Sequence, residues 1–208
     1  QVLNPNPDHY IVENGSLLIV NSKVSSLAED SVENLFKLAS PMPEGDWIAS
    51  MRLTIDFQTG WERVFIGLHD SKDSFIVTEV SGAKCTRSPN DYFCLVVRSS
   101  KNTAGDSSYF EQSPWWGEQR VSILKVKDFP FAQLAKELPQ PLVLRLRKQG
   151  RSYIGEVVLG DAVETKFEME KLTSLRPPGD LVIGVRQEKQ VQRETAVTVD
   201  WVKIESLR

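Results

Sequence analysis

Trp115-Trp116, with Tyr109-Phe110 just upstream and Pro114 and Gly117 framing them, is the most unusual patch in the 208 residues. Sugars present C–H faces that pack on aromatic rings, and their hydroxyls need polar partners at the ring edges. Asp106, Glu111, Gln112 and Glu118 lie close enough in sequence to supply those partners. Trp115, Trp116 and Tyr109 are therefore candidate stacking residues for a carbohydrate. Trp61, in the turn Thr59-Gly60-Trp61-Glu62, is a further candidate. The competing reading is structural: one indole caps the end of a core and the other covers a sheet edge. Trp47 and Trp201 fall on alternating segments and read as core.

Catalytic motifs are missing. Glycan cleavage needs two carboxylates flanking one bond, and a strand can offer them at alternate positions. Glu168-Met169-Glu170 and Glu44-Gly45-Asp46 are the nearest imitations, but no Glu-x-Asp-x-x-Glu spacing occurs. The chain has two histidines, His9 and His69, and no Gly-x-Ser-x-Gly, His-Glu-x-x-His, Cys-x-x-Cys or phosphate-binding glycine loop. His69-Asp70 reads as a strand-end pair rather than a dyad. Asp200 is different, because it alternates with Val202 and Ile204 and so shares a face with apolar neighbours. A carboxylate placed there needs a cation or several donors. The donors would be an arginine or backbone groups; the cation would be a calcium ion, which asks for six to eight oxygens.

The elements that must position these residues are strands. Met51, Leu53, Ile55 and Phe57 alternate with Arg52, Thr54 and Asp56, a strand with one wet face. Leu142, Leu144 and Leu146 alternate with Val143, Arg145 and Arg147, and Leu181, Ile183 and Val185 repeat the period. Runs at 64–68, 75–80, 93–97 and 121–126 are rich in β-branched and aromatic residues. Turns such as Asn14-Gly15, Gln149-Gly150 and Pro178-Gly179-Asp180 separate them. Twelve to fourteen strands follow, an all-β sandwich or barrel, with one short helix over 129–138 between Asp128 and Pro139. The second half of 27–39 is expected to be a strand. The segment 186–194 carries both signs and reads as a polar loop, while Arg145 and Arg147 read as a solvated sheet surface. No repeat or linker divides the chain, so 1–208 reads as one domain.

The order of motifs carries a resemblance. Asn14-Gly15-Ser16-Leu17-Leu18-Ile19 comes first, followed by Asn34-Leu35-Phe36, Pro43-Glu44-Gly45-Asp46-Trp47 and the strand 51–57. Val64 to Asp70, Leu144 to Tyr153, Leu181 to Val185 and the closing Val199-Asp200-Trp201-Val202-Lys203-Ile204 complete the series. This succession resembles the concanavalin A-like lectin/glucanase sandwiches, especially the C-terminal accessory domain of family 43 glycoside hydrolases of the β-xylosidase type. The resemblance covers about nine tenths of the chain. It implies a two-sheet antiparallel jelly roll, associated with carbohydrate and often without catalytic residues of its own. It also implies that an Asp at the place of Asp200 can ligate a structural calcium. The chain departs from the family's Ser-x-Asp-Gly-x-x-Trp turn, where Phe167 takes the Trp position.

Composition narrows the partners. Lys and Arg number 25 against 28 Asp and Glu, a net charge of −3, unlike the basic excess of nucleic-acid binders. No apolar run reaches the roughly 18 to 20 residues that span a bilayer. The chain opens at Gln1 without a signal peptide, as a processed secreted protein or a segment of a longer one would. Cys85 and Cys94, with eight residues between them, suit a disulfide in an oxidising compartment or two free thiols in the cytosol. The function expected is a non-catalytic carbohydrate-binding module, secreted or at the cell surface. Its alternatives are a structural domain docking onto a neighbouring domain, and a divergent glycan-degrading hydrolase or lyase.

Overall fold

A computed structural model of the chain describes residues 1–87, 90–103, 106–116, 135–161, 166–190 and 194–207. Fifteen strands are present among them: β1 (Val2–Leu3), β2 (Tyr10–Glu13), β3 (Ser16–Asn21), β4 (Leu35–Lys37), β5 (Asp46–Ile55), β6 (Glu62–Ser71), β7 (Ser74–Arg87), β8 (Asn90–Thr103), β9 (Asp106–Trp116), β10 (Leu142–Gln149), β11 (Ser152–Leu159), β12 (Lys166–Glu168), β13 (Leu172–Thr173), β14 (Asp180–Gln187) and β15 (Thr195–Leu207). They form two antiparallel sheets. One has seven strands in the order β1-β4-β14-β6-β7-β8-β9, and the other runs β12-β11-β10-β5-β15-β3-β2, with β13 pairing β11 as its eighth.

The alternation read from the sequence is the one that builds the core. Met51, Leu53 and Ile55 of β5 and Leu142, Leu144 and Leu146 of β10 face Val64, Ile66, Leu68, Ile76 and Val80 of the other sheet, all buried. Arg145 and Arg147 lie on the wet side of β10, paired there with the buried Glu156 of β11. Trp47 is buried and meets Tyr153 edge-on with ring centroids 6.3 Å apart. Burial pushes the Tyr153 hydroxyl up to about 12.

The segment 27–39 resolves as a 3₁₀ turn at Leu27–Glu29 and the strand β4. That turn lays Leu27 and Val32 over Phe65, Phe75, Val77 and Val182, on the outside of the seven-stranded sheet. One half of this outer face is thereby roofed. Its other half, further along the same strands around Arg63, Glu79 and Arg186, carries charge. Most of the expected helix 129–138 and the run 121–126 lie outside the described residues; Ala135 and Leu138 at its end are buried in the main core.

Trp201 is a correction: it is 40% exposed. A bulge between Val199 and Trp201 shifts the register of β15, so Val199 lies opposite Leu53 and Trp201 opposite Arg52. Inserting one residue into a strand reverses which side chains face the core. Strict alternation through the sequence misses that reversal.

Candidate functional site

The charged half of the outer face is a lattice of three arginines and three glutamates. Arg63 of β6, Glu79 of β7, Arg98 of β8, Glu111 of β9 and Arg186 of β14 come from five adjacent strands, joined by Glu188 just past β14. Arg186 grips Glu79, its Nη2 lying 2.9 and 2.8 Å from the two carboxylate oxygens. Arg63 donates to the Ser81 hydroxyl at 2.6 Å and to Glu188 at 2.9 Å. Arg98 reaches Glu111 at 2.8 Å and Glu188 at 3.2 Å. Glu79 is 1% exposed, and such burial is tolerable only because guanidinium donors surround it.

The lattice sets its own electrostatics. Burial pushes the Glu188 carboxyl up, but the Arg63 hydrogen bond and the charges of Arg63, Arg186 and Arg98 outweigh it and hold it below its ordinary value. Burial likewise opposes the charge on Arg98, and Glu111, Glu79 and Glu188 together raise it above its usual range.

Two exposed aromatic rings flank this lattice. Tyr109 of β9 is 66% exposed, with the Arg98 guanidinium carbon 5.4 Å from its ring centre. Trp61 is 37% exposed, with Lys189 Nζ 3.9 Å from its ring centre. The Trp61 carbonyl accepts from the Glu188 amide at 3.1 Å, tying the indole's turn to the lattice. The turn itself is built around the fully buried Glu62, whose carboxylate accepts from the amides of Gln58, Thr59 and Gly60. Gly60, at φ +85°, supplies the left-handed conformation that lets three amides converge.

Of the residues singled out in the sequence, Tyr109 and Trp61 thus lie at the borders of one lattice. Trp115 and Trp116 belong to the same strand as Tyr109, in register with Leu95 and Cys94, and their side chains lie outside the described residues. Glu111 is engaged with Arg98, while Asp106 pairs with the buried Lys101. Cys85 and Cys94 are joined in a disulfide across β7 and β8, packed with Ala83 and Val96. His69 pairs with Asp30 at 3.2 Å rather than with Asp70, and stacks on Phe75.

Asp200 sits on the other sheet. It is the residue inserted by the bulge, and its carboxylate is bound by Arg52, which also reaches Asp161 at 3.4 Å. The premise that Asp200 shares a face with Val202 and Ile204 fails for the same reason as the burial of Trp201. Among the described residues no group of three His, Cys, Asp or Glu could hold a metal ion. An arginine in direct contact with the carboxylate does not fit a calcium site.

The segment 186–194 is also corrected in part, since Arg186 and Gln187 end β14 and Gln187 is buried. The lattice was missed because its members are far apart in sequence and only cross-strand register assembles them. The signal available was Glu79, a carboxylate inside the apolar run 75–80.

A concavity of about 1000 Å³ opens elsewhere, where the β6–β7 and β8–β9 turns meet the loop before β14. Asp70, Asp73, Arg151 and Arg176 line it beside Leu175 and Pro177. Among the described residues it has hydrogen-bonding groups but no aromatic ring.

Compared by sequence, the chain matches no protein-family model and no curated protein. Compared by structure, it is similar to a GH43 protein from Bacillus licheniformis, with a TM-score of 0.61 at 11% identity, covering 98% of this chain and 36% of that one. A xylan β-1,4-xylosidase from Bacillus halodurans gives a TM-score of 0.59 at 10% identity, covering 97% and 35%. The legume lectin-like domain from Entamoeba histolytica gives 0.55 at 9%, covering 96% and 87%. The chain thus spans about a third of the length of the two Bacillus proteins. The sandwich is concanavalin A-like, as the order of sequence motifs led us to expect.

Proposed function

We propose that this domain is a non-catalytic carbohydrate-binding module that takes its ligand on the outer face of the seven-stranded sheet. One observation carries the reading: two exposed rings, Trp61 and Tyr109, flank a lattice whose partly exposed members Arg98, Glu111 and Glu188 offer guanidinium donors and carboxylate acceptors. A sugar hydroxyl both donates and accepts, so it can bridge such pairs while its C–H face lies on a ring. Trp115 and Trp116, later in β9, are proposed as further stacking residues. The 1000 Å³ concavity lacks a ring to stack on and takes second place.

Hydrolysis is the weaker alternative. An acid–base pair needs carboxylates free to exchange a proton with substrate, and the oxygens of Glu79 are committed to Arg186. Docking onto a neighbouring domain gains support from the fraction of the Bacillus proteins that the chain spans. Secretion or surface display is the proposed location, consistent with the Cys85–Cys94 bond.

A glycan array tests the reading, using wild type, Trp61→Ala/Tyr109→Ala, Trp115→Ala/Trp116→Ala and Arg151→Ala/Arg176→Ala, each with calcium or with chelator. Wild-type binding that is lost in the aromatic variants and kept in Arg151→Ala/Arg176→Ala is expected. Loss in the last variant alone would move the site to the concavity. A folded wild type that binds no glycan in either condition would leave docking as the better account. Chelator is expected to change neither binding nor Tm, because Arg52 already supplies the counter-charge to Asp200. A drop in either would place calcium at the bulge.

A further inference from the structure

β15 has two sides and two different fates. On one side β5 pairs it from Val197 to Leu207. On the other, β3 pairs it only from Thr195 to Val199. Past the bulge at Asp200, Trp201–Leu207 therefore has no second neighbour strand among the described residues. A row of unpaired N–H and C=O groups is a template for another strand. This edge is seven residues long with no proline or glycine, and Trp201, Val202 and Leu207 are all exposed on it.

We infer that the occupant of this edge is a second copy of the same chain, joined antiparallel about a two-fold axis through Ile204. The sequence Trp-Val-Lys-Ile-Glu-Ser-Leu is self-complementary about that point. Lys203 falls opposite the second copy's Glu205, and Glu205 opposite its Lys203. Trp201 falls opposite Leu207 on the same face of the sheet. Opposite charges and paired apolar side chains stabilise directly opposed positions, and like charges destabilise them. Neighbouring registers fail that criterion: centring on Lys203 sets lysine against lysine, and centring on Glu205 sets glutamate against glutamate. Charge thus selects one register, which an isologous interface requires. The existing Lys203–Glu205 contact within one chain, 2.8 Å between two exposed groups, is easily exchanged for the cross-strand pair.

Sedimentation equilibrium on the full chain tests this, with circular dichroism confirming that each variant is folded. Wild type is expected to be a dimer at micromolar concentration. Lys203→Glu and Glu205→Lys each set like charges opposite one another at both symmetry-related pairs, and each is expected to weaken dimerisation about tenfold or more. The double exchange Lys203→Glu/Glu205→Lys restores opposite pairing and is expected to restore the dimer. A monomeric wild type overturns the inference. So does a dimer indifferent to the single reversals, or one that the double exchange fails to recover.

Discussion

Glu62 decides where Trp61 stands. Its buried carboxylate holds three turn amides and the Thr59 hydroxyl, so Glu62→Ala strands donors that only water can then satisfy. A cost of about 3 kcal/mol is expected in denaturant unfolding, with a smaller loss for Glu62→Gln, which keeps an acceptor. An unchanged midpoint for Glu62→Ala would mean the turn holds without it. The lattice is read by pH. Because Glu188 is held below its ordinary 4.5, its proton goes first to the unfolded chain. Its stabilisation is complete above pH 4.5 and is lost as pH falls from there through the lowered folded value. His69 acts in the same sense: burial, ahead of the opposing pull of Asp30, holds it below 6.5. The unfolded chain therefore charges first as pH falls below 6.5, and stability drops. Glu188→Gln is expected to flatten the limb below pH 4.5 in urea titrations while leaving the His69 limb in place. Parallel curves for wild type and Glu188→Gln would deny the carboxylate this role.

At the scale of elements, the β7–β8 hairpin is the frame on which Glu79 and Arg98 are set. Its far end is closed by Cys85–Cys94, 9 apart in sequence. Cross-linking a loop of that size restricts the unfolded chain by about 3 kcal/mol. Cys85→Ala/Cys94→Ala is expected to lose about that much stability by denaturant unfolding, and a loss below 1 kcal/mol would argue that strand pairing alone fixes the hairpin. Gly155 of β11 fits beneath the same hairpin, and a Cβ there would collide with the hydroxyls of Ser99 and Thr78. What the sequence disclosed follows from these facts. The period-2 pattern of β5, β10 and β14 was legible because each strand buries one face, which burial alone dictates. The short β4 was legible from Leu35-Phe36-Lys37. The bulge at Asp200 was not, since an inserted residue leaves no mark in composition, and both Trp201 and Asp200 were misplaced by it. Nor was the lattice, because Arg63, Glu79, Arg98 and Arg186 meet only through cross-strand register. Trp61 was legible as an exposed aromatic from its turn and Tyr109 from its polar neighbours, though not as members of one network's border.

The whole molecule separates its two surfaces. The aromatic and charged face belongs to the seven-stranded sheet, and the open edge of β15 belongs to the eight-stranded sheet. A two-fold axis relating antiparallel edge strands stands perpendicular to their sheet. Both copies in the inferred dimer therefore turn their seven-stranded faces to the same side. Two such faces can engage one glycan-coated surface together, and linked binding of that kind raises apparent affinity by about a hundredfold or more without any new contact. The expected result separates valence from site. On an immobilised glycan, wild type should bind at least about tenfold more tightly than monomeric Lys203→Glu. In titration calorimetry with the same glycan free in solution, the two should have equal Kd per chain. Trp61→Ala/Tyr109→Ala should lose both signals while remaining a dimer. Equal binding of wild type and Lys203→Glu on the immobilised glycan would mean that the two faces cannot reach one surface, and the geometry of the pair would have to be redrawn.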